Sequence, residues 1–252
     1  MGKLDGKIAI VTGAGQGVGR GIALALAKEG AAVVVTDMNG DTCVRTADEI
    51  KALDSRALPV TCDVRRREQV QAAVAAAVKE FGTVDILVNN AQDLRYDVSL
   101  EDTTDDDMAL ALESGLLGTF YHMQACFPYL KEHGGKIINL ASAAGLDGYP
   151  RLGAYAAAKE AIRGLTKVAA HEWGQYKINV NAICPLANSP KMQAWGEALP
   201  DELSAALARV PLGRIGDCEK DIGPAVAFLA GPDSDYITGH TMMVDGGQMI
   251  SR

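Results

Sequence analysis

Tyr155 and Lys159 stand four residues apart, a spacing that puts both side chains on one face of a helix, one turn from each other. A phenol with a pKa of about 10 is a poor base at neutral pH, but a neighbouring ammonium stabilises the phenolate and lowers that pKa. Ser142 follows residues 136–140, a short run that reads as the fifth strand. At that strand end its hydroxyl can hold a carbonyl or alcohol oxygen beside the phenol. Tyr-x-x-x-Lys alone is common by chance, so its meaning depends on the elements that carry it.

The element that gives it meaning is KIAIVTGAGQGVG, residues 7–19. Ile8, Ala9, Ile10 and Val11 form a charge-free run, as expected of a strand buried on both faces. Gly13, Gly17 and Gly19 follow in a Thr-Gly-x-x-x-Gly-x-Gly pattern, with Gln16 and Val18 between them, rather than in G-x-G-x-x-G. Glycines let the backbone turn sharply and approach a phosphate, and the helix that opens there presents its N–H groups and positive dipole end. A second apolar run, 32–36, ends in Asp37, whose carboxylate can accept from a ribose diol. Strand, glycine turn, helix, strand, acid: this order reads as a dinucleotide-binding βαβ unit.

Strand-like and helix-like segments alternate along the rest of the chain, which predicts a parallel, doubly wound α/β sheet. Residues 57–61 read as the third strand, 85–88 as the fourth, 178–183 as the sixth and 241–244 as the seventh. Val70, Val74, Val78 and Phe81 make a helical stripe in 66–82. Residues 151–174 and 219–229 also read as helices. The acidic run 101–107 reads as the N-terminus of a long helix, with Met108, Leu112, Leu116 and Phe120 inward. Residues 184–212 are the irregular stretch, with Pro185, Pro190, Pro200 and Pro211 around Met192, Trp195 and Leu199. Beyond the carboxyl end of a strand, such an insertion is expected to be a substrate lid, at about residues 185–212.

The 252 residues suit one α/β domain, with 48% hydrophobic residues for its core. A net charge of −8 argues against nucleic acid or an anionic membrane surface as partner. Five scattered cysteines without C-x-x-C spacing and four unclustered histidines predict no disulfide framework and no metal site. No transmembrane run or signal-peptide core is visible, so a cytoplasmic protein is expected.

In these motifs the chain resembles the short-chain dehydrogenase/reductase family over nearly its whole length. The resemblance rests on Thr12–Gly19, Asp63, Asn89-Asn90-Ala91, Ser142, Tyr155-x-x-x-Lys159 and Val244-Asp245-Gly246-Gly247. It implies a single Rossmann-type domain with a seven-stranded sheet, often a homotetramer, and hydride transfer between a nicotinamide and a carbinol carbon. Tyr155 would be the acid/base, Lys159 would orient the nicotinamide ribose, and Ser142 would position the substrate oxygen. Asp63 and Val64 would contact the adenine, Asn90 and Ala91 would lie by the cofactor ribose, and Pro185 would lie at the nicotinamide end. Asp37 would hold the ribose hydroxyls and repel a 2′-phosphate; with no Arg or Lys at Gln16 or directly after Asp37, NAD(H) is expected over NADP(H).

The chain departs from the family pattern at three places. Gln92 replaces a glycine after the fourth strand, Gly115 stands where the family has a catalytic asparagine, and Leu186 replaces the glycine after Pro185. The expected function is oxidation of a secondary alcohol, or reduction of a ketone, on a fairly apolar small molecule. A 3-oxoacyl-thioester reductase, with residues 65–67 as a basic patch for an acidic carrier, is the alternative enzyme. A weakly active NAD-binding sensor is the alternative class. Gln92, Leu94, Tyr149, Arg151, Met192 and Trp195 are the candidate substrate residues, with Arg95 at the rim.

Overall fold

The charge-free run after Lys7 becomes β1 (Ile8–Thr12), a strand in which every residue is buried. Ala9 and Val11 pack on one side of it and Ile10 on the other, the alternation that a strand covered on both faces requires. The computed structural model describes residues 2–249. After β1 come α1 (Gly17–Lys28), β2 (Ala32–Asp37), α2 (Gly40–Lys51), β3 (Ala57–Thr61), α3 (Arg67–Phe81) and β4 (Ile86–Asn89). Then follow α4 (Asp105–Ala111), a π-helical turn (Leu112–Leu117), α5 (Gly118–His133), β5 (Gly135–Leu140), α6 (Ala143–Asp147) and α7 (Gly153–Trp173). The last part holds β6 (Ile178–Pro185), α8 (Pro190–Ala198), α9 (Pro200–Leu207), α10 (Gly223–Ala230) and β7 (Thr241–Val244).

Among the described residues, seven parallel strands form one sheet in the order β3-β2-β1-β4-β5-β6-β7. One face packs Val33, Val35, Val88 and Ile138 under Ile22 and Leu26 of α1, Ile50 of α2 and Val226 of α10. The other packs Val34, Leu87 and Ile137 under Val74 of α3, Met123 and Leu130 of α5, and Ala169 of α7. No described helix is long and apolar enough to cross a membrane.

The acidic run is a helix start. Thr104 and Asp107 form a capping box at α4, with each side chain bonded to the other's backbone N–H. The helix beyond it does not keep its expected face. In the π turn the Gly118 N–H reaches back five residues to the Glu113 carbonyl, which rotates the helix relative to an ideal 3.6-residue period. Ala111, Ser114, Gly115, Gly118 and His122 therefore face the core, while Met108, Leu112, Leu116 and Phe120 are only half-buried. The stretch 184–212 is also more regular than expected: β6 runs through Pro185, and α8 and α9 each begin with proline at the first turn. The expected helix 219–229 is divided into a π turn (Cys218–Ile222) and α10.

Candidate active site

The strand order reverses between β1 and β4, and a crevice opens there beyond the carboxyl ends of the strands. Its lining includes Gly13, Gln16, Gly17, Val18, Asp37, Asp63, Val64, Asn90, Ala91, Gln92, Leu94 and Tyr155. The segments that follow β1, β2, β3 and β4 deliver most of these residues to one edge of the sheet, and α7 delivers Tyr155.

The glycine turn is built for close approach. Gly13 and Gly17 have φ of +60° and +55°, and a Cβ at Gly13 would lie 2.9 Å from Ala91 Cα. Thr12 Oγ1 accepts from the N–H groups of Asn90 (2.9 Å) and Ala91 (3.0 Å). Asn90 Nδ2 donates to the carbonyls of Thr12 (2.8 Å) and Gly13 (3.1 Å), so its amide is committed to holding the turn. Gln16 precedes α1 without a side-chain cap, which leaves the first N–H groups of that helix for an anion. Gly19 lies inside α1, where a Cβ would overlap the Gly13 carbonyl; it packs the helix on the turn and does not line the crevice.

Asp37, at the end of β2, accepts from Gly15 N–H and from Asn39 N–H, each at 3.1 Å. Asp63 is gripped by the Arg65 guanidinium, with Nη2 to Oδ2 at 2.8 Å, and this hydrogen-bonded pair holds its carboxyl below the usual range. Cys62 is buried and its thiol is pushed up to about 12 by desolvation.

Ser142 caps α6, accepting from Ala144 N–H at 3.1 Å, and its hydroxyl lies beside the Tyr155 phenol, where it favours the phenolate. Lys159 is 3% exposed; its Nζ donates to the Leu140 carbonyl at 2.6 Å and lies 5.5 Å from the Tyr155 ring centroid. Burial pushes Tyr155 up to about 12 and Lys159 down to about 8; the nearby Ser142 hydroxyl only partly opposes the shift on the phenol. The expected lowering of the phenol's pKa belongs to the cofactor-bound state; in the cofactor-free protein desolvation is the largest influence on it. The arrangement is thus a protonated phenol beside a hydroxyl, poised to donate a proton and to hold an oxygen.

Several other expected residues lie away from the crevice lining. Arg151 is exposed and paired with Asp97, whose carbonyl also accepts from its Nη2 at 2.8 Å, so its charge is already engaged on the outside. Arg95 likewise pairs with Asp107. Pro185 is held in β6 opposite Val244. Met192 and Trp195 are half-buried on α8, and Tyr149 is half-buried with its hydroxyl unpartnered. Conversely, Met38, Asp93, Tyr96, Ser189 and Lys191 line the crevice without having been singled out one by one, together with Arg65, Ser114 and Pro190. Ser189-Pro190 carried a readable signal, an N-cap before a first-turn proline, and its Oγ accepts from Met192 N–H at 3.3 Å. Tyr96 and Lys191, whose Nζ sits 5.2 Å from the ring centroid, are far apart in sequence and left none. Among the described residues, no group of three or more His, Cys, Asp or Glu could hold a metal ion.

Residues 13–249 match a family model described as Enoyl-(Acyl carrier protein) reductase. The chain is 44% identical to 12alpha-hydroxysteroid dehydrogenase from Clostridium sp., with 98% of each chain covered. Among solved structures it resembles a putative short-chain alcohol dehydrogenase from Sinorhizobium meliloti 1021, at a TM-score of 0.93, 35% identity and 97% coverage of both chains. It also resembles an NAD+-bound xylitol dehydrogenase, at a TM-score of 0.91, 33% identity and coverage of 97% of this chain and 100% of the other. From the glycine turn through the Tyr155–Lys159 pair to the strand order, sequence and fold agree: the chain belongs to the short-chain dehydrogenase/reductase family.

Proposed function

We propose that the protein is an NAD(H)-dependent oxidoreductase that interconverts a secondary alcohol and a ketone on a fairly apolar small molecule. One observation carries this reading: the Tyr155 phenol, with Ser142 beside it and Lys159 one helical turn away, opens into the same crevice as the glycine turn. The residues present fit a dinucleotide. The left-handed Gly13 and Gly17 leave a cradle that a Cβ would fill, the start of α1 is uncapped toward it, and Asp37 stands at the end of β2. Gly13, Gln16, Gly17 and Val18 would hold the pyrophosphate, Asp37 the adenosine ribose, and Lys159 the nicotinamide ribose. When bound, the nicotinamide supplies a hydride acceptor or donor.

The chain's own residues handle the oxygen and its proton. Ser142 and Tyr155 together grip the substrate oxygen. In ketone reduction Tyr155 donates its proton, the form that burial favours. In alcohol oxidation it must lose that proton first, so the oxidation rate rises with pH. Lys159, protonated at neutral pH, favours the phenolate when it forms. The hydroxysteroid dehydrogenase relative and the NAD+-bound xylitol dehydrogenase support a carbinol substrate and NAD(H). Of the basic residues 65–67 that the thioester-reductase alternative would use, Arg65 is neutralised by Asp63.

Residues 185–212 serve as the lid: a Cβ at Gly17 would come within 3.4 Å of Pro190, so the start of α8 leans over the glycine turn. The half-buried Met108, Leu112, Leu116 and Phe120, with exposed Val168 on α7, suit a homotetramer interface. The test is Tyr155→Phe, assayed with a panel of secondary alcohols and ketones alongside cofactor titration. Turnover should fall by about 10²–10⁴-fold with NAD(H) binding retained; undiminished turnover would overturn the assignment.

A further inference from the structure

Gln92 and Gly115 meet across the gap between the end of β4 and the π turn. A Cβ at Gly115 would lie 2.8 Å from Gln92 Cδ and 2.9 Å from its Nε2, and closer still to Oε1. The carboxamide therefore fills the volume that any side chain at 115 would need. Its Nε2 donates to the carbonyls of Ala111 and Asp93, each at 3.0 Å, and approaches Ser114 Oγ at 3.3 Å. Ser114 Oγ in turn accepts from Asp93 N–H at 2.9 Å. Together these bonds latch the loop after β4 to the π turn, and that turn packs on α7, which carries Tyr155 and Lys159.

The orientation of the amide is fixed by its partners. Turning it over would face an oxygen toward the Ala111 and Asp93 carbonyls, which offer no proton. Oε1 is then held in one direction, buried, and without a protein partner, although Gln92 and Ser114 both line the crevice. A buried carbonyl oxygen beside an open crevice is completed by water.

We propose that Gln92 is a positioning residue of the reaction: its amide, admitted by Gly115, locks the π turn against the loop after β4. Its Oε1 holds one ordered water in the wall that Tyr155 shares. The inference rests on the alcohol–ketone reading above, and it concerns two residues that act as one unit. The same amide supplied from position 115, with position 92 emptied, should then restore the arrangement.

The experiment compares wild type, Gln92→Met, Gly115→Asn and the double variant Gln92→Gly/Gly115→Asn. Each is followed by kcat, KM, the pH profile of kcat and the melting temperature of the cofactor-free protein. Gln92→Met keeps the volume but loses the amide; kcat should fall roughly tenfold with a displaced pH profile and little change in cofactor KM. Gly115→Asn should melt lower and lose more, because two side chains compete for one space. The double variant should regain melting temperature and bring kcat to within about threefold of wild type. A wild-type kcat and pH profile for Gln92→Met overturns the proposal, as does a double variant no better than Gly115→Asn. A double variant that recovers its melting temperature but not its kcat reduces the pair to packing and also overturns it. If wild type turns over no alcohol, the functional reading fails separately; the pair is then judged by melting alone, where additive effects refute it.

Discussion

Replacing Lys159 with methionine should make the cofactor-free protein more stable while removing its turnover. The ammonium is 3% exposed, and burial takes it from its ordinary 10.5 to about 8. That difference corresponds to roughly 3 kcal/mol, the cost of keeping the side chain charged in the folded state at neutral pH. Methionine has similar length and no charge, so it removes this cost. It also removes the 2.6 Å hydrogen bond to the Leu140 carbonyl, a loss of about 1–2 kcal/mol. The net gain at pH 7 is roughly 1–2 kcal/mol, or about 2–8 °C in melting temperature for a chain of this length.

The pH dependence carries the signature. Below pH 8 the lysine is protonated in both states and the full cost is present. Between 8 and 10.5 the folded protein has released the proton and the unfolded chain has not. The unfolded state then binds more protons, and wild-type stability rises with pH relative to the variant. Melting curves for the two proteins at pH 7, 8, 9 and 9.5 isolate this group, because every other titration is common to both. The variant's advantage should shrink above pH 8 and vanish by about pH 9–10. A variant less stable at pH 7, with a gap constant across the series, would refute the reasoning: Lys159 would then be an ordinary structural lysine.

Two further outcomes follow from the same arguments. Asp37→Asn keeps an acceptor for the Gly15 N–H but removes the charge facing a 2′-phosphate, so the NADP(H)/NAD(H) ratio of kcat/KM should rise roughly tenfold to a hundredfold. An unchanged ratio would detach Asp37 from cofactor choice. His122 is fully buried and held neutral, its pKa lowered by burial to about 4, while the unfolded chain titrates near the ordinary 6.5. The unfolded state therefore binds more protons between 6.5 and 4, and stability falls with pH through that window, by about 2 kcal/mol at pH 5. His122→Gln should lose this part of its acid sensitivity in urea titrations at pH 7 and 5. Parallel losses in both proteins would count against it.

The parts of the fold carried by local pattern were legible. A charge-free run such as Ile8–Thr12 can satisfy its neighbours only as a strand covered on both faces, and glycines before a helix predict the turn at its mouth. Tyr155 and Lys159 were legible for a similar reason: one helical turn fixes their relation whatever surrounds it. Legibility failed where backbone geometry changes the period. The π turn at Leu112–Leu117 has no compositional mark, so the stripe Met108-Leu112-Leu116-Phe120 was assigned inward on a 3.6-residue period that the helix does not keep. It failed again where a local motif meets a distant one, as with Tyr96 and Lys191 at the crevice.

Gln92 and Gly115 bring these two failures together. In the sequence they were separate departures, one adding an amide beside the cofactor and one removing a side chain from the long helix. Their contact arises only because the π turn swings Gly115 to face the end of β4. A substitution at either residue alone disturbs the same volume and the same three hydrogen-bond partners of Nε2. Neither residue, then, has a meaning that can be measured without the other. Of all the sequence's departures from its family, this pair is where a paired substitution should tell more than the two single ones.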